Sequence, residues 1–274
     1  MSKSASPLNQ DNISLLDLLP FLIITFGISW GILGLYIALP ELMNTWFGNI
    51  TGQHLLFFLA IYAPAIAAIL VVFYHAGWRG LKRYFSRLML WRSSPLWYVF
   101  LILGIPLVFF IGAAIKGTVF STLLISSSFQ LLLVMLFITL LKGPVEELGW
   151  RGLMLPLLQR KLMPFWAGLI LGIIWGIWHL PAFFLSGTPQ GAWDFMPFIT
   201  GSIAISIIIT ALFNASNGSI LLAALFHFQL INPFWPDAQP YDTYILMILA
   251  LIIVWYNRKT MFSREKAMTE VIPS

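Results

Sequence analysis

The sequence lacks cysteine and has very little charge. Of its 274 residues, 59% are hydrophobic and only 9% are charged, whereas about a quarter of the residues of an ordinary soluble domain are charged. Too few charged groups remain to cover a water-facing surface, which excludes a soluble enzyme, a nucleic-acid-binding protein and a disordered regulator. Without cysteine there are no disulfides, no thiolate metal ligands and no cysteine nucleophile.

Other catalytic signatures are missing as well. The chain has no G-x-G-x-x-G, no Walker loop and no H-E-x-x-H motif. No aspartate lies in the middle of an apolar run, which disfavours an aspartyl intramembrane protease.

What is present is a series of apolar runs long enough to be membrane spans, which need roughly 20 residues each. We predict an all-α fold, a polytopic membrane bundle of about eight transmembrane helices that forms a single membrane-embedded domain over residues 1–274. The last two runs are short, which predicts tilt, kinking or cover by the rest of the protein. The predicted spans are Leu15–Leu39, His54–Tyr74, Leu96–Ile115, Val119–Leu141, Pro164–Leu185, Phe195–Phe213, Ser219–Ile231 and Thr243–Tyr256.

The basic residues predict the orientation of the bundle. With eight spans and a cytoplasmic N-terminus, 14 of the 15 lysines and arginines fall inside, and only Lys116 falls outside. This bias predicts that both termini are cytoplasmic. The basic segment Trp78–Arg92 is either an interfacial helix or an ordinary positive-inside loop. Asp194, Asp237 and Asp242 are expected in outer loops.

Ionisable residues next to or within a span are expensive, so each is a functional candidate. Pro144 can begin a new helix after the fourth run, with Glu146 and Glu147 in its first turn. Arg151 lies four residues after Glu147 and can pair with it. Glu146 is rotated by about 100° from Glu147 and is free for chemistry. The alternative is a capped interfacial helix without a catalytic role.

Two histidines lie in otherwise apolar runs. His179 follows Trp175 by one helical turn, and His227 is followed by Gln229 and Asn232. Each alone is most simply a hydrogen-bonded core residue. Together with Glu146 they supply either a His₂Glu metal site with an open position, or a carboxylate base with two imidazole electrophiles. Both arrangements activate water.

At these residues the sequence resembles the CAAX protease and bacteriocin-processing family of intramembrane proteases, also called the type II CAAX prenyl endopeptidase or Abi family. The resemblance rests on Glu-Glu-x-x-x-Arg at 146–151, an aromatic residue four before His179, and His227. It covers about residues 131–232. It implies an eight-helix endopeptidase that opens from the cytoplasmic leaflet.

The resemblance also implies roles for individual residues. Glu146 is the expected water activator, with Glu147 and Arg151 completing the motif. His179 and His227 are the expected metal ligands or oxyanion-polarising groups, so that Glu146, His179 and His227 would hold one divalent metal such as zinc. The family's accounts differ between metal-bound water and a metal-free glutamate mechanism, and both stay open.

Two positions depart from the family pattern. The aromatic residue is Trp175 where phenylalanine is usual, and the position four after His227 is Ile231 where asparagine or aspartate is usual. Asn232 can act as an oxyanion donor only if the helix loosens before Pro233.

These residues predict an intramembrane endopeptidase. Its expected partners are membrane lipids and a peptide or protein substrate, lipidated or not, at the cytoplasmic leaflet, with no nucleic acid. A bacterial inner membrane is the expected location. The alternative is a non-catalytic scaffold, a bacteriocin-immunity factor or a transport-type protein that uses the same polar cavity.

Overall fold

The computed structural model describes residues 13–120 and 128–273, and in these ranges all regular structure is helical. The predicted all-α polytopic bundle is confirmed. The α-helices of the described chain are α1 (Leu18–Ala38), α2 (Pro40–Phe47), α3 (Leu55–Ser86), α4 (Pro95–Val99), α5 (Ile105–Lys116), α6 (Phe129–Leu141), α7 (Gly143–Gly149), α8 (Leu155–Gln159), α9 (Pro164–Trp178), α10 (Phe195–Ala215), α11 (Ile220–Leu230), α12 (Tyr241–Tyr256) and α13 (Arg258–Met261).

Two pairs of these helices are joined by a π-helical turn into one continuous helix. Phe100–Gly104 joins α4 to α5, and Trp150–Met154 joins α7 to α8. Within the described ranges, five helical segments are long and apolar enough to cross a membrane, while α11 and α12 are shorter apolar helices. The protein is therefore an integral multi-pass membrane protein.

One end of the bundle is built from five segments that contact one another, and we call it the basic end. Ile13 and Thr269 accept hydrogen bonds from Arg160, and Met268 accepts one from Gln159. Arg87 is 2% exposed and donates to the carbonyls of Gly152, Gly218 and Val271. The basic end comprises residues 13–17, 75–94, 159–165, 214–219 and 256–273.

The opposite end, which we call the cavity end, is held by different contacts. Lys116 pairs with Asp237 at 2.7 Å, and the backbone of Gly52 bonds that of Gly187. The cavity end comprises residues 39–54, 116–120, 142–143, 186–198 and 231–243. Between the two ends the described chain passes eight times, through α1, α3, α4–α5, α7–α8, α9, α10, α11 and α12.

The fourth pass differs from the prediction. Val119–Leu141 was expected to be this span, but residues 121–127 lie outside the described residues, and α6 has only 13 residues. The pass is instead made by residues 143–159, which run antiparallel to α11 because Gly143 contacts Ile231 and Gly152 contacts Ile220.

This correction moves two cations. The side chain of Lys142 lies 5.2 Å from the ring of Phe58 at the cavity end, and Arg151 is fully buried within the bundle. Neither lies in a cytoplasmic loop as predicted. The other basic residues are still concentrated on one side, since 11 of the 14 lysines and arginines that the structure describes lie at the basic end.

Two other segments need correction. Trp78–Arg92 is helical from 78 to 89 after a break at Gly77, where φ is 58°. It is not only an interfacial surface, because Arg87 is part of the protein interior. Asp242 is not in an outer loop but in the first turn of α12, where its side chain is buried.

The close approach of α9 and α10 fixes the position of the segment that carries His179. A Cβ on Gly168, Gly172 or Gly176 would lie within 3 Å of Thr210, Ile203 or Ile199 respectively. Glycines spaced by four residues therefore let the two helices pack backbone to backbone. The tight contact fixes α9, whose C-terminus carries His179.

Candidate active site

A cavity of about 590 Å³ lies among the helices at the cavity end. Its wall includes Glu146, His179 and His227, together with Trp175 and Asn232. The three residues for which the sequence predicts water activation therefore line one cavity.

The local sequence explains how Glu146 and Glu147 come to face different ways. Lys142 has non-helical backbone angles (φ −90°, ψ −95°), which end α6, and Pro144 lies in the first turn of α7. Proline suits that turn because its missing N–H has no helical partner there. Consecutive residues of α7 then point about 100° apart.

Glu147 faces away from the cavity, into the protein. Its side chain is fully buried, and Oε1 accepts hydrogen bonds from Arg151 Nη1 at 3.0 Å and from His227 Nδ1 at 2.7 Å. The guanidinium of Arg151 also lies 4.9 Å from the centre of the Trp175 ring. Glu147 and Arg151 thus lie behind the cavity wall, where Glu147 is bonded to the ring of His227.

Glu146 faces the cavity and is held by a single side chain. Its Oε2 accepts a hydrogen bond of 2.9 Å from Trp175 Nε1. Its other oxygen, Oε1, accepts no hydrogen bond from the described residues. Glu146 is 4% exposed, so this carboxylate meets only the cavity and its protein neighbours.

The two imidazoles are oriented in the same manner. Nδ1 of His179 is 2.8 Å from the carbonyl of Trp175, and Nδ1 of His227 is bonded to Glu147. Both partners accept hydrogen bonds, so each Nδ1 carries a proton. When either ring is neutral, its Nε2 is therefore an acceptor, and Nε2 can donate only from the imidazolium.

The side chain of His227 leaves no room for a Cβ at position 143, which is glycine. A Cβ on Gly143 would lie 2.7 Å from His227 Nε2 and 2.6 Å from the side chain of Ile231. Only glycine lets α7 approach α11 so closely, and this approach places His227 next to the Glu146–Glu147 turn.

The metal prediction is tested by the geometry of the donor atoms. Metal-ligating histidines usually donate their other ring N–H to a carboxylate or a carbonyl, as His179 and His227 do. Within residues 13–120 and 128–273, however, no group of three histidine, aspartate or glutamate side chains is placed to hold a metal ion. The described arrangement does not fit a site with Glu146, His179 and His227 as ligands, so the metal stays a prediction.

Asn232 lies on the cavity wall, but its amide is occupied. α11 ends at Leu230, so Asn232 lies outside the helix. This agrees with the sequence, because Pro233 disfavours helical backbone angles at the residue before it. Asn232 Nδ2 donates to Gln229 Oε1 at 3.0 Å, and its Oδ1 accepts from the backbone N–H of Phe234. As placed, the amide holds the turn and has one N–H left for a substrate oxygen.

Ser29 is a cavity residue that the sequence analysis did not consider. It lies in Gly27–Gly31 (GISWG), whose spacing matches the G-x-S-x-G elbow of serine hydrolases. Here the segment is the middle of α1 and not a strand-to-helix turn. Ser29 Oγ donates to the carbonyl of Ala60 and accepts from Trp178 Nε1, so it has the contacts of a packing residue.

Two charged residues on the wall were also missed. Asp242 lines the cavity, and its Oδ1 accepts from the backbone N–H of Thr243. Lys142 lines it too. Both were assigned to loops because hydropathy places charged residues at span ends and cannot show which of them turn inward.

Two comparisons with known proteins give matches to this chain. Residues 127–232 match the family described as type II CAAX prenyl endopeptidase, Rce1-like. The CAAX prenyl protease 2 of Methanococcus maripaludis is 32% identical over 140 residues, which cover 47% of this chain and 52% of that protein. The chain thus spans about half the length of the curated relative it matches. Both findings confirm the resemblance drawn from the motif residues.

Proposed function

We propose that this protein is an intramembrane endopeptidase in which Glu146 activates a water molecule for attack on a peptide carbonyl. One observation carries the proposal. Of two adjacent buried carboxylates, Glu147 is bonded to Arg151 and His227, whereas Glu146 lines the cavity with one oxygen that accepts no hydrogen bond from the described residues.

The chemistry follows from the atoms that face the cavity. Water would donate one hydrogen to Glu146 and its second to the Nε2 acceptor of His179, so that a lone pair of the water oxygen points to the carbonyl carbon. Glu146 takes the proton as the C–O bond forms, and returns it to the amine when the C–N bond breaks. The glutamate thus serves as base and then as acid.

The developing oxyanion needs a hydrogen-bond donor. His227 can donate from Nε2 as the imidazolium, and Glu147, which accepts from its Nδ1, is the counter-ion that such a cation requires. Trp175 holds the carboxylate of Glu146 and, through its carbonyl, the ring of His179. It acts as a positioning residue.

The proposed substrate is a peptide or protein segment at the membrane, with lipidated peptides included because the matched relative is named a CAAX prenyl protease. The proposed location is a bacterial inner membrane. A metal-bound water is the second version of the mechanism. The Nδ1 bonds of both histidines are of the kind that metal-ligating histidines make, but the three side chains as placed do not form a ligand set.

The test is cleavage of a pooled peptide library, farnesylated and unmodified, by the protein in liposomes. Replacing Glu146→Gln should slow cleavage by roughly 10²–10⁴-fold, as is typical for the loss of a general base. The control Glu265→Gln makes the same change at an exposed acid of the basic end, away from the cavity, and should leave the rate unchanged. A folded Glu146→Gln variant with the wild-type rate would refute the mechanism.

Chelation distinguishes the two versions. Cleavage that survives dialysis against 1,10-phenanthroline supports the metal-free version, and cleavage that is lost and restored by zinc supports the metal-bound one. If the folded wild type cleaves no peptide but binds some saturably, the protein is a binding scaffold. The existing hydrogen bond from Asn232 to Gln229, which takes one donor from the oxyanion region, favours that second function.

A further inference from the structure

Among the described residues, those that line the cavity lie toward one end of the bundle. The cavity wall is formed by loops of the cavity end and by the halves of the helices nearest to them, for example Gln53, Gln190 and Trp235. None of the residues that the structure describes at the basic end contributes to this wall. Substrate must therefore enter from the cavity end or from the lipid beside it.

The charges identify which face of the membrane this end occupies. Eleven described lysines and arginines lie at the basic end, against Lys116 and Lys142 at the cavity end. Lys116 is paired with Asp237. An excess of lysine and arginine in short loops marks the cytoplasmic side of a membrane protein. The basic end is thus the cytoplasmic end.

We propose that the active site is entered from the extracytoplasmic side, and that its substrates are exported or membrane-anchored polypeptides presented at the outer leaflet. The proposal rests on the proposed function for the hydrolysis itself. It replaces the cytoplasmic leaflet from which, as the family resemblance implied, the site would open.

The rim gives the chemical class of the substrate. Four acids lie at the cavity end, Glu41, Asp194, Asp237 and Asp242, against two lysines. This surplus attracts cationic segments. Inside, Trp193 stacks on Phe198 in the wall, which offers an apolar surface. An apolar stretch flanked by basic residues is the sequence that matches both features.

The absence of cysteine provides a direct test by labelling. Three single-cysteine variants would be made in the full chain: Gln53→Cys at the rim, Ser202→Cys inside the cavity, and Ser86→Cys at the basic end. Intact bacterial spheroplasts expressing each variant would be treated with a membrane-impermeant maleimide, and again after permeabilisation. None of the three residues belongs to the proposed catalytic machinery.

We expect Gln53→Cys and Ser202→Cys to react in intact spheroplasts, and Ser86→Cys to react only after permeabilisation. The reverse pattern would overturn the proposal, because the cavity would then face the cytoplasm. Reaction of Gln53→Cys without Ser202→Cys would also overturn it, because the cavity would be closed to that side. Labelling needs no proteolysis, so absence of cleavage with the expected labelling refutes the proposed function and leaves the access route standing.

Discussion

The two ends of the bundle are held together in opposite ways. At the basic end, buried Arg87 donates to carbonyls from three separate segments, and Gln159 and Arg160 hold residues near the C-terminus. Of the Arg87 guanidinium, Nη2 alone has no partner among the described residues, whereas Glu147 and Arg151, behind the cavity wall, are less completely bonded. Oε2 of Glu147 and Nε and Nη2 of Arg151 have no hydrogen-bond partner among the described residues.

This difference separates stability from chemistry within one fold. Charged groups bonded to several carbonyls tie the passes together at the basic end, so the other end can keep a cavity with a carboxylate and two imidazoles. Residues of the basic end should therefore affect folding, and residues of the cavity end should affect hydrolysis.

The largest effect is expected at an imidazole of the cavity. His227→Gln removes the Nε2 group and the bond to Glu147, and should lower the cleavage rate by roughly 10²–10⁴-fold, as the loss of an acid–base group does. His75→Gln makes the same change at the basic end, where His75 pairs with Asp17. It should leave the rate unchanged. Equal rates for the two variants in the liposome assay would break the comparison.

The next effect is one of stability. Arg87→Gln leaves carbonyls from three segments without their charged donor, and should lower the free energy of unfolding by about 3 kcal/mol, since each bond to a charged group contributes about 1.5–3 kcal/mol. Arg79→Gln, at an exposed position of the same helix, is the control. Thermal unfolding in detergent measures both. An unchanged midpoint for Arg87→Gln would contradict the structural role of this residue.

A smaller effect is expected in the coupling of Glu147 with Arg151. Either Glu147→Leu or Arg151→Leu alone leaves a buried charge without its partner. The double variant should therefore lose less free energy of unfolding than the sum of the losses of the two single variants. The expected coupling is roughly 0.5–3 kcal/mol, the range for directly bonded neighbours. It is obtained from the unfolding midpoints of the three variants. Strictly additive changes would show that the ion pair contributes no interaction energy.

The smallest effect is expected at Asn232. Its amide already donates to Gln229, so Asn232→Ala should slow cleavage by less than about 10-fold, below the loss of one oxyanion-hole donor, which typically costs 10²–10³-fold. Kinetics on the same peptides measure the change. A drop as large as that of His227→Gln would mean that Asn232 turns to the substrate during catalysis.

The site residues could be predicted because their spacing is local. Glu147 and Arg151 pair four residues apart, as on any α-helix. His179 and His227 were found because an ionisable group in an apolar run is costly without a role. What spacing could not supply is the bond between His227 and Glu147, since the two are 80 residues apart.

The fourth pass could not be predicted from hydropathy. Residues 143–159 include two glutamates and an arginine, so the segment reads as a loop beside the more apolar α6. Glu147 pairs with Arg151 and His227, and the apolar side chains of the segment, such as Leu153 and Leu155, are fully buried. The mean hydropathy of a sequence window depends only on composition, so it cannot show that a charged residue pairs with one far away in the sequence.

The π turn at Trp150–Met154 determines how this pass responds to insertions and deletions. In it, the N–H of Leu155 bonds the carbonyl of Trp150, five residues back, so the turn holds one residue more than an α turn. Deleting one of the five would convert the segment into a regular α-helix, because the π turn takes up its extra residue within a single turn, and Glu146 would keep about the same rotation relative to α8. Inserting a residue into the regular helix on either side of the π turn would instead rotate Glu146 by about 100° relative to α8, away from the cavity. This pass is therefore expected to accept a one-residue deletion at the π turn and to lose the site on a one-residue insertion beside it.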